Sequence, residues 1–438
     1  MKRLTIILFA LLATIYLSAQ TTQYIYTNGR YIFGPCGDTL LLRGIDYAPY
    51  DWGYDITSLE INQVVQSGAN VVRMPWYFDN SDASTNDVYK NYKALDSAVS
   101  KCVENKMIAI IEIHDYTCSD DTAALLSLNT WWAQDSVFTD VLLKHKESVI
   151  VNYANEALDY LWASVSSTTA LATYQRTYKN IITALRNKSG FNFPIMIDAP
   201  DCGTNSDAFV TSNVANNLIL HDPLHNLIFS AHAYWYAFAG NDSTTMASDV
   251  NAVISQNIPL VLGEVANLQD DASPCEYTLN YKSLLNYCQL KKVGWIAWSW
   301  DHDNCSDRQI SSTGNFSNLT TYGNDIVHNS NYGLLTVNAP KSKFLLNGCG
   351  TTVINRIKEG NNIALFPNPA NNEIKVISNQ LSVNSIEIYN MLGDRIYGST
   401  ITDNQSQFII NIVNFPNGVY VVEVKTECGI GVEKFVKQ

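Results

Sequence analysis

Val149-Ile-Val-Asn-Tyr-Ala-Asn-Glu156 and Pro259-Leu-Val-Leu-Gly-Glu264 are two short apolar runs that each end on a carboxylate. Such runs, bounded by polar sequence, read as buried strands. A charged side chain at the end of a buried strand is costly unless it has partners or a task. Working outward, six further runs have the same texture: Leu41 to Asp46, Asn70 to Met74, Met107 to His114, Pro194 to Asp198, Leu227 to Tyr234 and Gly294 to Trp298. Between them lie stretches with amphipathic helical spacing, namely Ile56 to Gln66, Tyr89 to Asn105, Ala123 to Lys144, Ala170 to Asn187 and Leu279 to Gln289. Eight strand–helix alternations over about 300 residues predict an α/β fold, a (β/α)8 TIM barrel whose strand ends meet at one face. A doubly wound open sheet is the alternative. The first strand is followed by no glycine-rich phosphate loop, and polar residues gather at many strand ends, which favours the barrel.

The flanks of the barrel have their own signals. Lys2-Arg3, an apolar stretch from Leu4 to Leu17 and the exit Ser18-Ala19-Gln20 read as a secretory leader over 1–20. The barrel is placed at 21–350, opening with a hairpin from Tyr24 to Ile32 around an Asn28-Gly29 turn. A linker at 351–361 leads to a small all-β, sandwich-like domain at 362–438. Its strands are expected at Glu373 to Ile377, Ser385 to Tyr389, Phe408 to Ile412, Val419 to Val424 and Gly431 to Val436. No later run is long enough to cross a membrane. The net charge is −13, and loss of the leader with Lys2 and Arg3 takes it to −15. That excess of acid argues against a nucleic-acid or anionic-membrane partner and fits a secreted monomer acting on a neutral substrate. Nine cysteines leave at least one unpaired, and Cys275, Cys288 and Cys305 are near enough for one local bridge.

Glu156 closes the fourth strand and Glu264 the seventh, so in a barrel they face each other across the mouth. Two opposed carboxyls are what cleavage of a glycosidic bond requires. Other strand ends add Arg73, His114, Asn155, His232, Tyr234 and Trp298. In order and position, these eight residues resemble glycoside hydrolase family 5. His114-Asp115-Tyr-Thr-Cys-Ser-Asp120-Asp121, Val149 to Glu156, Asp222-Pro223-Leu-His-Asn226 and Val293-Gly-Trp-Ile-Ala-Trp-Ser-Trp300 are similar to its bacterial mannanase branch, subfamily 8. Ala157 and Val265 depart from the residues common there. The tail resembles the type IX secretion sorting domain through Phe366-Pro-Asn-Pro369, Ile388-Tyr-Asn-Met-Leu-Gly393, Asn417-Gly-Val-Tyr420 and Lys434-Phe-Val-Lys437. That resemblance implies export by the type IX machinery and an extracellular protein, released or attached to the cell surface.

The family resemblance implies a retaining endo-β-1,4-glycanase acting on a polysaccharide, with no metal and no cofactor. Glu264 would be the nucleophile, held ionised by Arg73 and Tyr234, and Glu156 the acid and base, protonated beside that charge. Asn155 would bond the sugar 2-OH. His114 and His232 would hydrogen-bond around the sugar and the acid, and Trp298 would offer a stacking floor. β-1,4-Mannan is the expected polymer, with an endo-β-1,4-glucanase (cellulase) as the alternative. A glycan-binding barrel without catalysis is the alternative of another class. Asp301-His-Asp-Asn-Cys-Ser-Asp307 is expected to be a solvated loop rather than a metal site.

Overall fold

The computed structural model describes residues 24–49, 60–78, 92–158, 167–234, 242–269, 277–349, 363–378, 383–391, 394–401, 407–426 and 429–438. The expected leader at 1–20 and linker at 351–361 lie outside these residues. The chain divides into two units, Met1–Cys349 and Gly350–Gln438.

The first unit is a closed barrel of eight parallel strands in sequence order. They are β1 (Arg43–Asp46), β2 (Val71–Trp76), β3 (Ile108–Ile113), β4 (Val149–Asn152), β5 (Ile195–Asp198), β6 (Leu227–Ala233), β7 (Leu260–Val265) and β8 (Gly294–Ala297). All eight expected strands form, and β8 pairs with β1 to close the ring. Side chains alternate across a strand, and the burial follows that period. Val72, Ala109, Ile111, Val151, Ile197, Phe229 and Leu262 face outward into the layer beneath the helices. Val71, Ile108, Ile110, Ile150, Met196, Ile228, Val261 and Ile296 fill the inside.

An antiparallel sheet of Tyr26–Asn28, Tyr31–Phe33 and Thr39–Leu40 adds Ile25, Ile32 and Leu40 to that inner cluster. The hairpin is one residue displaced from expectation. Asn28 pairs with Tyr31, so the turn residues are Gly29, at φ +57°, and Arg30. The expected helix Ala123–Lys144 is broken into Thr122–Ser127, a π turn at Thr130–Gln134 and Ser136–Lys144. Asp135 is the cause: it is extended and its carboxylate accepts from Phe138 N–H, starting a new helix. The helices Ser243–Ser255 and Thr321–His328 were not among those expected. Among the described residues no helix is long and apolar enough to cross a membrane.

Disulfides join Cys36 to Cys349 and Cys118 to Cys202. Cys305 is also disulfide-bonded, whereas Cys288 and Cys102 are buried free thiols. The expected local trio therefore does not pair through Cys288, which packs between its helix and the barrel.

The second unit is all β. Its strands are β9 (Ile363–Phe366), β10 (Glu373–Ser378), β11 (Val383–Asn390), β12 (Arg395–Thr400), β13 (Gln407–Asn411), β14 (Gly418–Thr426) and β15 (Gly429–Lys437). They make two antiparallel sheets, ordered β9-β10-β13 and β12-β11-β14-β15. Ile374, Val376 and Ile410 from one sheet share a core with Ile386, Ile388, Val422 and Val424 from the other.

Candidate active site

Going up each strand by two residues from the inner apolar layer, the inward face turns polar. Val71 leads to Arg73, Ile110 to Glu112, Ile150 to Asn152, Met196 to Asp198 and Ile228 to Ser230 and His232. All of these polar residues are buried. They converge because a barrel brings the C-terminal strand ends to one mouth.

Arg73 is the hub. Its Nη1 donates to Glu264 Oε1 at 2.8 Å and to Asp46 Oδ1 at 3.0 Å. Nη2 donates to Asn155 Oδ1 at 2.7 Å and Nε to Asn152 Oδ1 at 2.9 Å. Glu112 and Asp198 lie at 3.5 and 3.7 Å. One fully buried guanidinium therefore serves four carboxylates.

Glu264 reaches this hub through an irregularity. By alternation from Val261, Gly263 faces inward and Glu264 outward. The register against β6 shifts between Leu262 and Glu264, inserting one extra residue. Such a bulge re-aims the side chain that follows it. Gly263 is required there, because a Cβ would lie 2.3 Å from Ser230 Oγ and 3.0 Å from His232 Nε2.

Glu156 stands just beyond β4 with its backbone in the left-handed region, at φ +47°. Its N–H donates to Asp198 Oδ2 at 3.1 Å and its carbonyl accepts from Cys118 N–H at 3.1 Å. Its Oε1 is hydrogen-bonded to His232 Nδ1 at 2.7 Å. Glu156, His232 and Glu264 each present one atom within 4.8 Å of the others. That spacing suits a small cation, but Glu156 and His232 are hydrogen-bonded to each other and Glu264 is paired with Arg73. The two carboxyls expected from the sequence do meet.

Electrostatics differ in one respect from expectation. Burial pushes the Glu264 carboxyl up and Glu156 adds to the rise, while His232 and Arg73 oppose it. Arg73 alone does not set its charge, because its guanidinium is divided among several acids in a closed space. Burial likewise lowers the His232 pKa, keeping the imidazole neutral. For His114 burial opposes the charged form, yet Glu112, 3.0 Å from Nδ1, lifts it to about 9.

The remaining expected residues line the same mouth. Asn155 Nδ2 donates to Thr117 Oγ1 at 3.1 Å. Tyr234 is buried with Ala266, Leu279 and Trp298, and the Arg308 guanidinium lies 5.8 Å from its ring. Trp298 stacks on His114 with centroids 6.1 Å apart, and its Nε1 donates to Asp303 Oδ2 at 2.6 Å. A cavity of about 540 Å³ opens between His114, Trp298, Asp303 and Arg308. The Asp301–Asp307 segment is solvated at His302, Asn304, Ser306 and Asp307, as expected, but turns Asp301, Cys305 and the Asp303 side chain inward. The Asp303 side chain is buried and clamps Arg308 Nη2 at 2.8 Å, and burial beside Glu60 pushes the Asp301 carboxyl up to about 9. Trp295 and Trp300 are fully buried core, and Trp235 and Tyr236 lie outside the described residues.

Sequence reasoning missed Asp46, Glu112, Asp198 and Asp303. The first three were within reach of the rule already applied to Glu156, an acid at the end of an apolar strand. Asp303 stood within the acidic segment read as a solvated loop, and its contacts with Trp298 and Arg308 are visible only in the fold.

Residues 36–304 match the cellulase (glycosyl hydrolase family 5) family, and residues 364–438 the secretion system C-terminal sorting domain. The chain is similar to a mannan endo-1,4-beta-mannosidase of Salipaludibacillus agaradhaerens, 28% identical over 73% of this chain and 95% of that protein. A mannan endo-1,4-beta-mannosidase of Streptomyces lividans is 27% identical over 70% of this chain and 73% of that protein. The fold is shared with a beta-mannanase from Streptomyces thermolilacinus, at a TM-score of 0.62 and 21% identity over 74% of this chain and 99% of that one. With its barrel matched over most of its length and its polar mouth assembled from the strand ends, the chain belongs to glycosyl hydrolase family 5 and carries a secretion sorting domain at its C-terminus.

Proposed function

We propose that this glycosidase is a secreted retaining endo-β-1,4-mannanase, with Glu264 as nucleophile and Glu156 as general acid and base. The observation that carries the reading is the separation of the two carboxyls, an oxygen of each within 4.8 Å of the other. Retaining enzymes hold their carboxyls about 5–5.5 Å apart, and inverting ones leave about 6.5–9.5 Å for a water. Mannan is supported by the names of the relatives in the previous subsection.

In the first step ionised Glu264 attacks the anomeric carbon while Glu156 gives its proton to the departing glycosidic oxygen. A glycosyl ester on Glu264 results. In the second step Glu156, now a carboxylate, takes a proton from water, whose oxygen attacks the same carbon and frees Glu264. Arg73 orients Glu264 and balances its charge, and Tyr234 is assigned to the same task. Asn155, fixed by Arg73 through its Oδ1, meets the sugar 2-OH. His232 orients Glu156, and His114 and Trp298 form one wall of the sugar site. Export through the type IX machinery, followed by release or surface attachment, places the enzyme where its polymer is.

The test is reducing-end release from β-1,4-mannan and from carboxymethyl cellulose, with Glu264→Ala as control. Mannan is expected to be cut preferentially, and the variant to lose roughly a thousandfold or more. A variant as active as the wild type refutes the nucleophile. Preference for carboxymethyl cellulose makes the enzyme a glucanase. Retention of mannan without cleavage makes it a binding protein.

A further inference from the structure

We infer that the Cys118–Cys202 disulfide is a positioning element for Glu156, setting where the proton donor stands. The inference rests on the acid and base role proposed above. Cys118 follows β3 and Cys202 follows β5, so the bridge passes over the loop that leaves β4 and carries Glu156.

Both sides of that loop are tied to the bridge. Cys118 N–H donates to the carbonyl of Glu156 at 3.1 Å, and Leu158 N–H donates to the carbonyl of Ser119 at 2.8 Å. Cys118 Sγ lies 3.6 Å from Glu156 Oε2, a contact without a proton, since a disulfide sulfur has none to donate. On the other side, the carbonyl of Gly203, next to Cys202, accepts from His232 N–H at 2.8 Å. His232 Nδ1 in turn holds Glu156 Oε1 at 2.7 Å. The bridge therefore touches Glu156 through its backbone, through one carboxylate oxygen, and through the histidine on the other.

The backbone needs such a brace. Glu156 and Leu158 sit at φ +47° and +72°, and Cys118, Asp201 and Cys202 at +56°, +59° and +51°. Side-chain-bearing residues hold such conformations only where the surroundings over-determine them. Without the bridge the loop can relax, and a displacement of about 1 Å at a catalytic group costs on the order of a hundredfold.

A positioning role differs from a merely stabilising one in its dependence on the leaving group. Departure of a sugar alkoxide needs the proton of Glu156, whereas dinitrophenolate leaves without it. We would compare kcat/KM, which reports the first irreversible step, on a mannooligosaccharide and on a 2,4-dinitrophenyl β-mannobioside. In the full chain, C118S/C202S should lose at least tenfold on the oligosaccharide and less than twofold on the dinitrophenyl substrate. C36S/C349S, which removes a bridge elsewhere in the barrel unit, should leave the ratio of the two rates unchanged. The ratio does not depend on how much of a preparation is folded. Should C118S/C202S yield no folded protein, wild-type enzyme in graded thiol is used, with alkylation of Cys118 followed by mass spectrometry. The ratio must then move with that modification. A wild-type ratio in C118S/C202S, or in enzyme alkylated at Cys118, overturns the inference. Glu156→Ala separates the two readings: if it shows no leaving-group split, the acid and base assignment fails, whatever the disulfide does.

Discussion

Replacing Arg73 by methionine keeps the apolar stem and removes the charge on which the site is organised. Arg73 is fully buried and hydrogen-bonds Asp46, Glu264, Asn152 and Asn155, with Glu112 and Asp198 close by. Removing one member of a buried ion pair costs about 3–5 kcal/mol, since its partner is left charged and unsolvated. Four acids lose their shared cation here, so the upper part of that range, about 4–5 kcal/mol, is expected near neutral pH.

The loss has a sign in pH. Burial already holds the Asp46 and Glu264 carboxyls above their unfolded values, and without Arg73 they rise further, while Glu112, now held below its ordinary value, loses one of the cations that keep it there. A raised carboxyl weighs against folding above its folded pKa, and the weight lifts as pH falls towards the unfolded value. The deficit should be largest at about pH 8 and smaller at about pH 5. Urea unfolding read by tryptophan fluorescence measures it in the barrel alone, because all nine tryptophans precede Asp301. Activity should fall by roughly 10²–10³-fold, the usual loss of one preorganised donor. A deficit below about 1 kcal/mol, or one equal at both pH values, would show that Arg73 is not the counter-charge of the site.

Two further perturbations follow from neighbouring contacts. His114 is raised to about 9 by Glu112, so its pairing stabilises the fold fully below about pH 6.5 and is lost as pH rises through 9. His114→Gln should therefore cost up to about 3 kcal/mol in urea unfolding at pH 6 and almost nothing at pH 10, and a pH-independent cost would refute the pairing. Gly203 sits at φ +76°, and a Cβ there would lie 2.8 Å from the His232 ring. Gly203→Ala should lower stability by about 1–3 kcal/mol and, by moving the histidine that holds Glu156, reduce kcat/KM; unchanged melting and kinetics would refute the close approach.

The barrel was legible because its strands are buried on both faces and so form unbroken apolar runs that stand out from the helical stretches. Glu156 and Glu264 were legible as the polar punctuation of those runs. What sequence could not show was aim. Strict alternation points Glu264 outward, and only the extra residue at Gly263 turns it to Arg73. The balance of charge was hidden too, because pairing Arg73 with Glu264 is a local thought. The competition from Asp46, Glu112 and Asp198 exists only once five strands share one mouth. The Cys118–Cys202 bridge spans 84 residues, and no spacing rule selects it from the other pairings nine cysteines allow.

Cys349 is the last residue of the barrel unit, and the chain that follows leads to the sorting domain. Its bond to Cys36 spans a sequence separation of 313 residues and turns the barrel into a covalent ring with a handle. A tug on the handle is delivered through sulfur to Cys36 and does not peel away the Lys343–Asn347 turn. Severing the handle anywhere beyond Cys349 leaves the ring shut.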